Sequence, residues 1–238
     1  MIIGFGNGDF FRLYSDDKER FSQKYIDLFK ANNLANAIEL HCSDEECIDH
    51  LLLADNIDLS YFKFVSLHAP NFQYQKNDIS IRILSKLVEM HKKYNLQNIV
   101  FHVDKVKDWD VFLDYNMLPI SIENLDERKE SGRSIDDIKS ILEKYDFKLT
   151  LDLQHCFVND RTMTLAIKFQ ELYKERIVEY HISGYEEELL HYPLFKTLQN
   201  EIIYSLKFKN IPIIIESTFD KIGEQETELE YIKQRLNQ

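Results

Sequence analysis

Seven short apolar runs of this chain end in, or in one case carry, an acid or a histidine. They are AIEL at 37–40 (with Glu39), FVSLH ending at His68, NIVFH ending at His102, ISIE ending at Glu123, LTLD ending at Asp152, IVEYH ending at His181 and PIIIE ending at Glu216. Successive ends lie 21 to 35 residues apart. Apolar runs of this length read as strands buried on both faces. A buried strand has no reason of its own to finish in a charge or an imidazole. Many such endings in one chain imply strand ends that converge on a shared polar site.

The segments between the runs are polar loops followed by amphipathic stretches. With Ile2–Phe5 as a first strand, the pattern gives eight strand–helix units in 238 residues. The strands expected are Ile2–Phe5, Ala37–His41, Phe64–His68, Asn98–His102, Pro119–Glu123, Lys148–Leu153, Ile177–His181 and Ile211–Glu216. Helices are expected near Asp16–Ala31, Asp44–Ala54, Ile79–Tyr94, Lys107–Asp114, from Ser134 onward, and near Met163–Tyr173, Pro193–Leu206 and Glu224–Leu236. In the third of these, Ile81, Leu84, Leu87 and Val88 mark the apolar face. Strands alternating with helices imply a parallel sheet. Eight units in a chain of this length imply an α/β fold of the (β/α)8 TIM barrel type, a single domain over residues 1–238. The competing doubly wound open sheet has a glycine-rich first turn. Here GFGNGDF at 4–10 lacks the G-x-G-x-x-G spacing.

Composition narrows the function classes. The net charge is −12, from 29 basic and 41 acidic residues, a poor footprint for a protein that neutralises nucleic-acid phosphates. No run approaches a membrane span, and the N-terminus lacks a basic segment followed by a long apolar one. Three cysteines, Cys42, Cys47 and Cys156, fit free thiols in a reducing, cytoplasmic setting rather than a disulfide framework or a structural zinc site.

In a (β/α)8 barrel all strands point one way, and their C-terminal ends ring the mouth where active sites sit. Glu39, His68, His102, Glu123, Asp152, His181 and Glu216 would meet there, joined by His155 in DLQH and His191 in ELLHYPL. Imidazole and carboxylate together form the ligand set of Zn²⁺, Mn²⁺, Fe²⁺ or Co²⁺. Packing several carboxylates together without cations would force at least one pKa upward. Any one strand-end histidine is more often structural; the ensemble carries the inference. By two-residue alternation Glu39 and His41 face the same side. His50 and His91 read as surface residues. Trp109 and Phe72–Tyr74 read as packing, Lys105 and Arg128 as solvated surface, and Asp104, Asp126 and Glu127 as loop acids without a role.

The segments SLHAP at 66–70, VFH at 100–102, SIENLD at 121–126, LDLQH at 151–155, HISG at 181–184 and IIES at 214–217 resemble the xylose isomerase-like barrel superfamily over essentially the whole chain. That group includes endonuclease IV (AP endonuclease family 2) and many sugar isomerases and epimerases. The isomerase and epimerase branch implies one divalent cation, often Mn²⁺, on Glu123, Asp152, His181 and Glu216. It also implies Glu123 and Glu216 as the acid/base pair and His155 in contact with substrate, with Glu39 a further substrate-binding candidate. Where that branch often carries an Arg, six residues after the strand-seven histidine, this chain has Glu187. The endonuclease IV branch implies three zinc ions. His68, His102 and Glu123 would hold one, and Glu123, Asp152, His181 and Glu216 the second. His155 and His191 would share the third with an Asp two residues before His191, where this chain has Leu189. The expectation is a cytoplasmic enzyme using one to three Mn or Zn ions on a small sugar-like substrate, with no membrane partner. The reaction is isomerisation or epimerisation; the alternatives are a zinc-dependent phosphoester hydrolase and a non-catalytic barrel.

Overall fold

Strands β1 (Ile3–Gly6), β2 (Ala37–His41), β3 (Phe64–His68), β4 (Asn98–His102), β5 (Ile120–Glu123), β6 (Lys148–Asp152), β7 (Ile177–Ile182) and β8 (Ile213–Ile215) pair in parallel, each with its neighbour in the chain, and β8 closes on β1. The computed structural model describes residues 1–188 and 191–237. Helices α1 (Gln23–Leu28), α2 (Glu45–Leu53), α3 (Asp78–Tyr94), α4 (Ile135–Leu142), α5 (Leu153–Asn159), α6 (Thr164–Tyr173), α7 (Leu194–Thr197), α8 (Asn200–Tyr204) and α9 (Glu224–Leu236) accompany the strands. This is the expected (β/α)8 barrel. Among the described residues no helix is long and apolar enough to cross a membrane.

Strand side chains alternate between two environments. One set, including Ile38, Leu40, Val65, Leu67, Ile99, Phe101, Ile122, Leu149, Leu151, Tyr180, Ile182, Ile213 and Ile215, joins the main apolar core against the helices. At the bottom of the barrel Ala37, Phe64 and Ile214 form a small separate apolar cluster. Above it the interior is polar: Ser66, Asn98, Ser121, Thr150 and Glu179 are at most 1% exposed.

Several expected elements differ in detail. The helix expected near Asp16–Ala31 is a 3₁₀ turn at Asp17–Phe21 followed by α1, because Ser22 between them is extended. Between β4 and β5 there are only 3₁₀ turns, Val103–Lys105 and Trp109–Tyr115. The helix expected near Pro193–Leu206 is split into α7 and α8 at Leu198, whose φ of 57° is left-handed. Strand β6 stops at Asp152, and Leu153 already belongs to α5, since the Asp152 carboxylate accepts from His155 N and caps that helix. The buried face of α3 is Ile83, Leu84, Leu87 and Met90; Ile81 is 49% exposed. Its face is therefore rotated from the expected one, although Asn77 caps the start and His91, Lys92 and Lys93 fill the last turn as the helix dipole favours. Ser134 caps α4 in a reciprocal capping box with Asp137.

Gly4 is required by closure of the barrel. A Cβ there would lie 1.7 Å from the Ala37 carbonyl oxygen on β2. The Gly4→Ala variant should lose roughly 3 kcal/mol of stability; a denaturant midpoint equal to wild type would show that β1 moves aside freely.

Candidate metal centre at the barrel mouth

Strand register sets which groups meet. His41 on β2 pairs with His68 on β3, His102 on β4 with Glu123 on β5, and Asp152 on β6 with His181 on β7. Three sets of possible ligands result, each with its donor atoms within 4.8 Å of one another: His68, His102 and Glu123; Glu123, Asp152, His181 and Glu216; and Glu39, Glu179 and His181. Glu123 belongs to the first two, His181 to the last two. Its Oε2 lies 2.9 Å from His102 Nε2 and 3.5 Å from His68 Nε2, and those two ring nitrogens are 2.9 Å apart. Its Oε1 lies 2.8 Å from His181 Nδ1, which is also 3.2 Å from Glu216 Oε1. Of these residues His68, His102, Glu123 and Glu216 line a cavity of about 520 Å³, together with Asp9, Glu39, His41, Arg128, His155 and His191, while Asp152 and His181 are buried behind that lining.

Buried this closely, the groups hold one another's charge. Burial would depress His181, but the charges of Glu216, Glu39 and Glu123 outweigh it and hold the imidazole well above its ordinary value. Burial also opposes ionisation of Glu123, yet His181 and His102 hold that carboxyl well below the usual range. His68 is raised to about 9, because its hydrogen bond with Glu123 and the nearby carboxylates outweigh burial. Asp152 is pushed up to about 7 by burial and, despite His155, by the negative neighbours Glu216 and Glu123. Without a cation, protons on histidines do the balancing.

The residues fit a divalent cation by their unsatisfied atoms as well as by type. On the ligand side Asp152 Oδ2 is buried without a hydrogen-bond partner among the described residues, and Glu123 Oε2, though 2.9 Å from His102 Nε2, makes no hydrogen bond of proper geometry. A buried polar atom left unpaired is costly. Carboxylate and imidazole atoms converging in this way are the donor set that Mn²⁺ or Zn²⁺ accepts.

His155 and His191 stand beside this centre, with ring centroids 5.8 Å apart. His191 Nδ1 is 2.9 Å from Ser183 Oγ. Among the described residues no third ligand completes a group with the pair. Glu187 and Glu188 are exposed on their loop, and Leu189 lies outside the described residues. The Asp126 carboxylate is held by a fork from Arg128 and lies 2.6 Å from His155 Nδ1. It is fully buried, so it is no idle loop acid, and Arg128 is part of the cavity wall rather than plain surface. Trp109, Phe72 and Tyr74 do pack: Tyr74 lies against Phe101 and Phe112, and Trp109 against Phe147.

Sequence reading missed Asp9, Asp126 and Glu179. Asp9 follows β1 and lines the cavity, where burial and the charges of Glu216 and Glu39 raise its pKa well above the ordinary value. No motif marks it. Glu179, Ser66, Ser121 and Thr150 did carry a signal: each stands two residues before a strand-end ligand and so faces the same way.

His155 is raised to about 9, since the charge of Asp152 and the Asp126 hydrogen bond overcome burial. Replacing Asp126 by Asn removes an anion that favours the protonated ring. The His155 pKa, followed by NMR in metal-free protein, should fall; an unchanged titration would remove Asp126 from this role.

No family model matches the chain, and no curated protein matches it. Solved structures do match in fold. The probable 3-DHS dehydratase AsbF of Bacillus anthracis superposes with a TM-score of 0.70 at 13% identity, over 98% of this chain and 99% of that one. Endonuclease IV of Thermus thermophilus gives 0.60 at 9% identity, over 88% and 95%. D-Psicose 3-epimerase of Clostridium cellulolyticum gives 0.60 at 12% identity, over 100% and 98%. At such identities the likeness is one of architecture: this chain has the fold shared by endonuclease IV and the sugar isomerases and epimerases, the xylose isomerase-like group that its strand-end motifs resemble.

Proposed function

We propose that this protein is a divalent-metal-dependent enzyme acting on a small sugar-like molecule (a sugar, polyol or sugar phosphate) as an isomerase or epimerase. The observation that carries this reading is the convergence of Glu123, Asp152, His181 and Glu216 within 4.8 Å, with Glu123 and Glu216 lining the cavity. The net charge of −12 supports a small substrate over nucleic acid.

Moving a proton beside a carbonyl needs one group to remove it and another to return it. Glu216 suits the first task. Its side chain keeps 19% exposure and lines the cavity, against 1% exposure for Glu123, and, against burial, His181 keeps the Glu216 carboxyl in the ionised form that can accept a proton. Glu123 is the second member of the pair. A cation held by the four residues would polarise substrate oxygens as a Lewis acid. His155, held through Nδ1 by Asp126 and with Nε2 3.4 Å from Asp152 Oδ2, lines the cavity where a substrate would lie, and Glu39 offers a further polar contact there.

One observation favours phosphoester hydrolysis as a second reading. Both oxygens of Glu123 are engaged, Oε1 by His181 and Oε2 by His102 and His68. A carboxylate between two ligand groups suits a pair of cations, the arrangement that clamps an in-line displacement.

Glu216→Gln should abolish turnover and weaken cation binding under both readings; wild-type activity in that variant would sink the site. Metal analysis of the purified protein separates them. One bound ion, unaffected by His68→Ala, favours the isomerase. Two ions, one of them lost in His68→Ala, favour the hydrolase. A screen of sugars, sugar phosphates and phosphodiesters on the same preparations then names the reaction.

A further inference from the structure

The interior of a (β/α)8 barrel is ordinarily filled by layers of branched apolar side chains. Here the layer beneath the metal centre is polar and comes from five strands. Ser66 Oγ on β3 donates to Glu179 Oε1 at 2.7 Å, and Asn98 Nδ2 on β4 donates to Glu179 Oε2 at 2.5 Å. Asn98 Nδ2 also lies 3.0 Å from Thr150 Oγ1 on β6, which is 2.7 Å from Ser121 Oγ on β5. Glu179 itself stands on β7, two residues before His181, and is fully buried. Burying a carboxylate is expensive unless something nearby requires its charge.

What it faces is the far side of His181. The Nδ1 of that ring looks at Glu123 and Glu216, the ligand side. Its Nε2 looks down, 3.4 Å from Glu39 Oε2 and 3.6 Å from Glu179 Oε1. Both Glu39 Oε2 and His181 Nε2 are buried and make no hydrogen bond among the described residues, so each is left facing the other. A ligating histidine commonly donates its second ring N–H to a carboxylate, which fixes the ring and raises its basicity.

We propose that Glu179 and Glu39 are positioning residues: they hold the Nε2–H of His181 from below, so that His181 meets the cation through Nδ1. The Ser66–Asn98–Thr150–Ser121 network holds Glu179 in place for that task. This inference rests on the metal-centre reading above.

The test is a Co²⁺ titration of the metal-free full chain, wild type against Glu179→Gln and Glu39→Gln, with a thermal melt of each metal-free protein. Glutamine keeps the shape of the side chain and removes its charge. Glu179→Gln should bind Co²⁺ about 10- to 100-fold more weakly, with an altered visible spectrum and no loss of melting temperature. In parallel, the zinc-loaded wild type labelled with ¹⁵N-histidine should show His181 bound through Nδ1 and protonated at Nε2. This reading needs no variant and decides the matter if Glu179→Gln fails to fold. Wild-type affinity and spectrum in both variants, or a His181 bound through Nε2, would overturn the inference alone. A wild type that binds neither Co²⁺ nor Zn²⁺ would overturn the metal reading together with it.

Discussion

Glu123 is one buried carboxylate that three histidines approach, one at one oxygen and two at the other. With one oxygen on His181 and the other on His102 and His68, it joins what would otherwise be separate polar patches. Its ionisation is sustained by those rings, and theirs by it and its acidic neighbours. Such a cluster cannot be taken apart singly: removing one partner leaves an unpaired charge in a closed interior, which costs more than the pair contributes. The register of eight strands serves to deliver these groups to one level.

The same register explains why the barrel is polar below the mouth as well. Side chains two apart on a strand share a face, so Ser66 lies under His68, Ser121 under Glu123, Thr150 under Asp152 and Glu179 under His181. The apolar plug of Ala37, Phe64 and Ile214 seals only the bottom. The main stabilising burial lies outside, between strands and helices. Apolar packing around the barrel can therefore carry the fold while its interior is given to charge and hydrogen bonds.

Much of this was legible in the chain. The runs ending at His68, His102, Glu123, Asp152, His181 and Glu216 marked both the strands and their convergence, since buried parallel strands and their polar ends leave a strong local pattern. The helix start at Ser134 was legible for the same local reason, as a cap followed by Asp136 and Asp137 in the first turn. The breaks at Ser22 and Leu198 were not, because an amphipathic stretch can be interrupted by one residue in another backbone region without losing its pattern. Asp126 and Arg128 looked like loop charges: nothing nearby in sequence shows that the loop folds under the His155 ring.

The sequence by itself determined the eight-unit barrel and the identity of the ring residues, because strand alternation and polar endings are properties of neighbours along the chain. Tertiary structure alone decided how the ring divides. That Glu123 stands between two groups, that His181 turns Nδ1 up and Nε2 down onto Glu39 and Glu179, and that Asp126 fixes His155 all depend on the stagger of strands around a closed barrel. Stagger sets distances between residues far apart in the chain, 142 positions for Glu39 and His181 (181 − 39), and no local pattern encodes it.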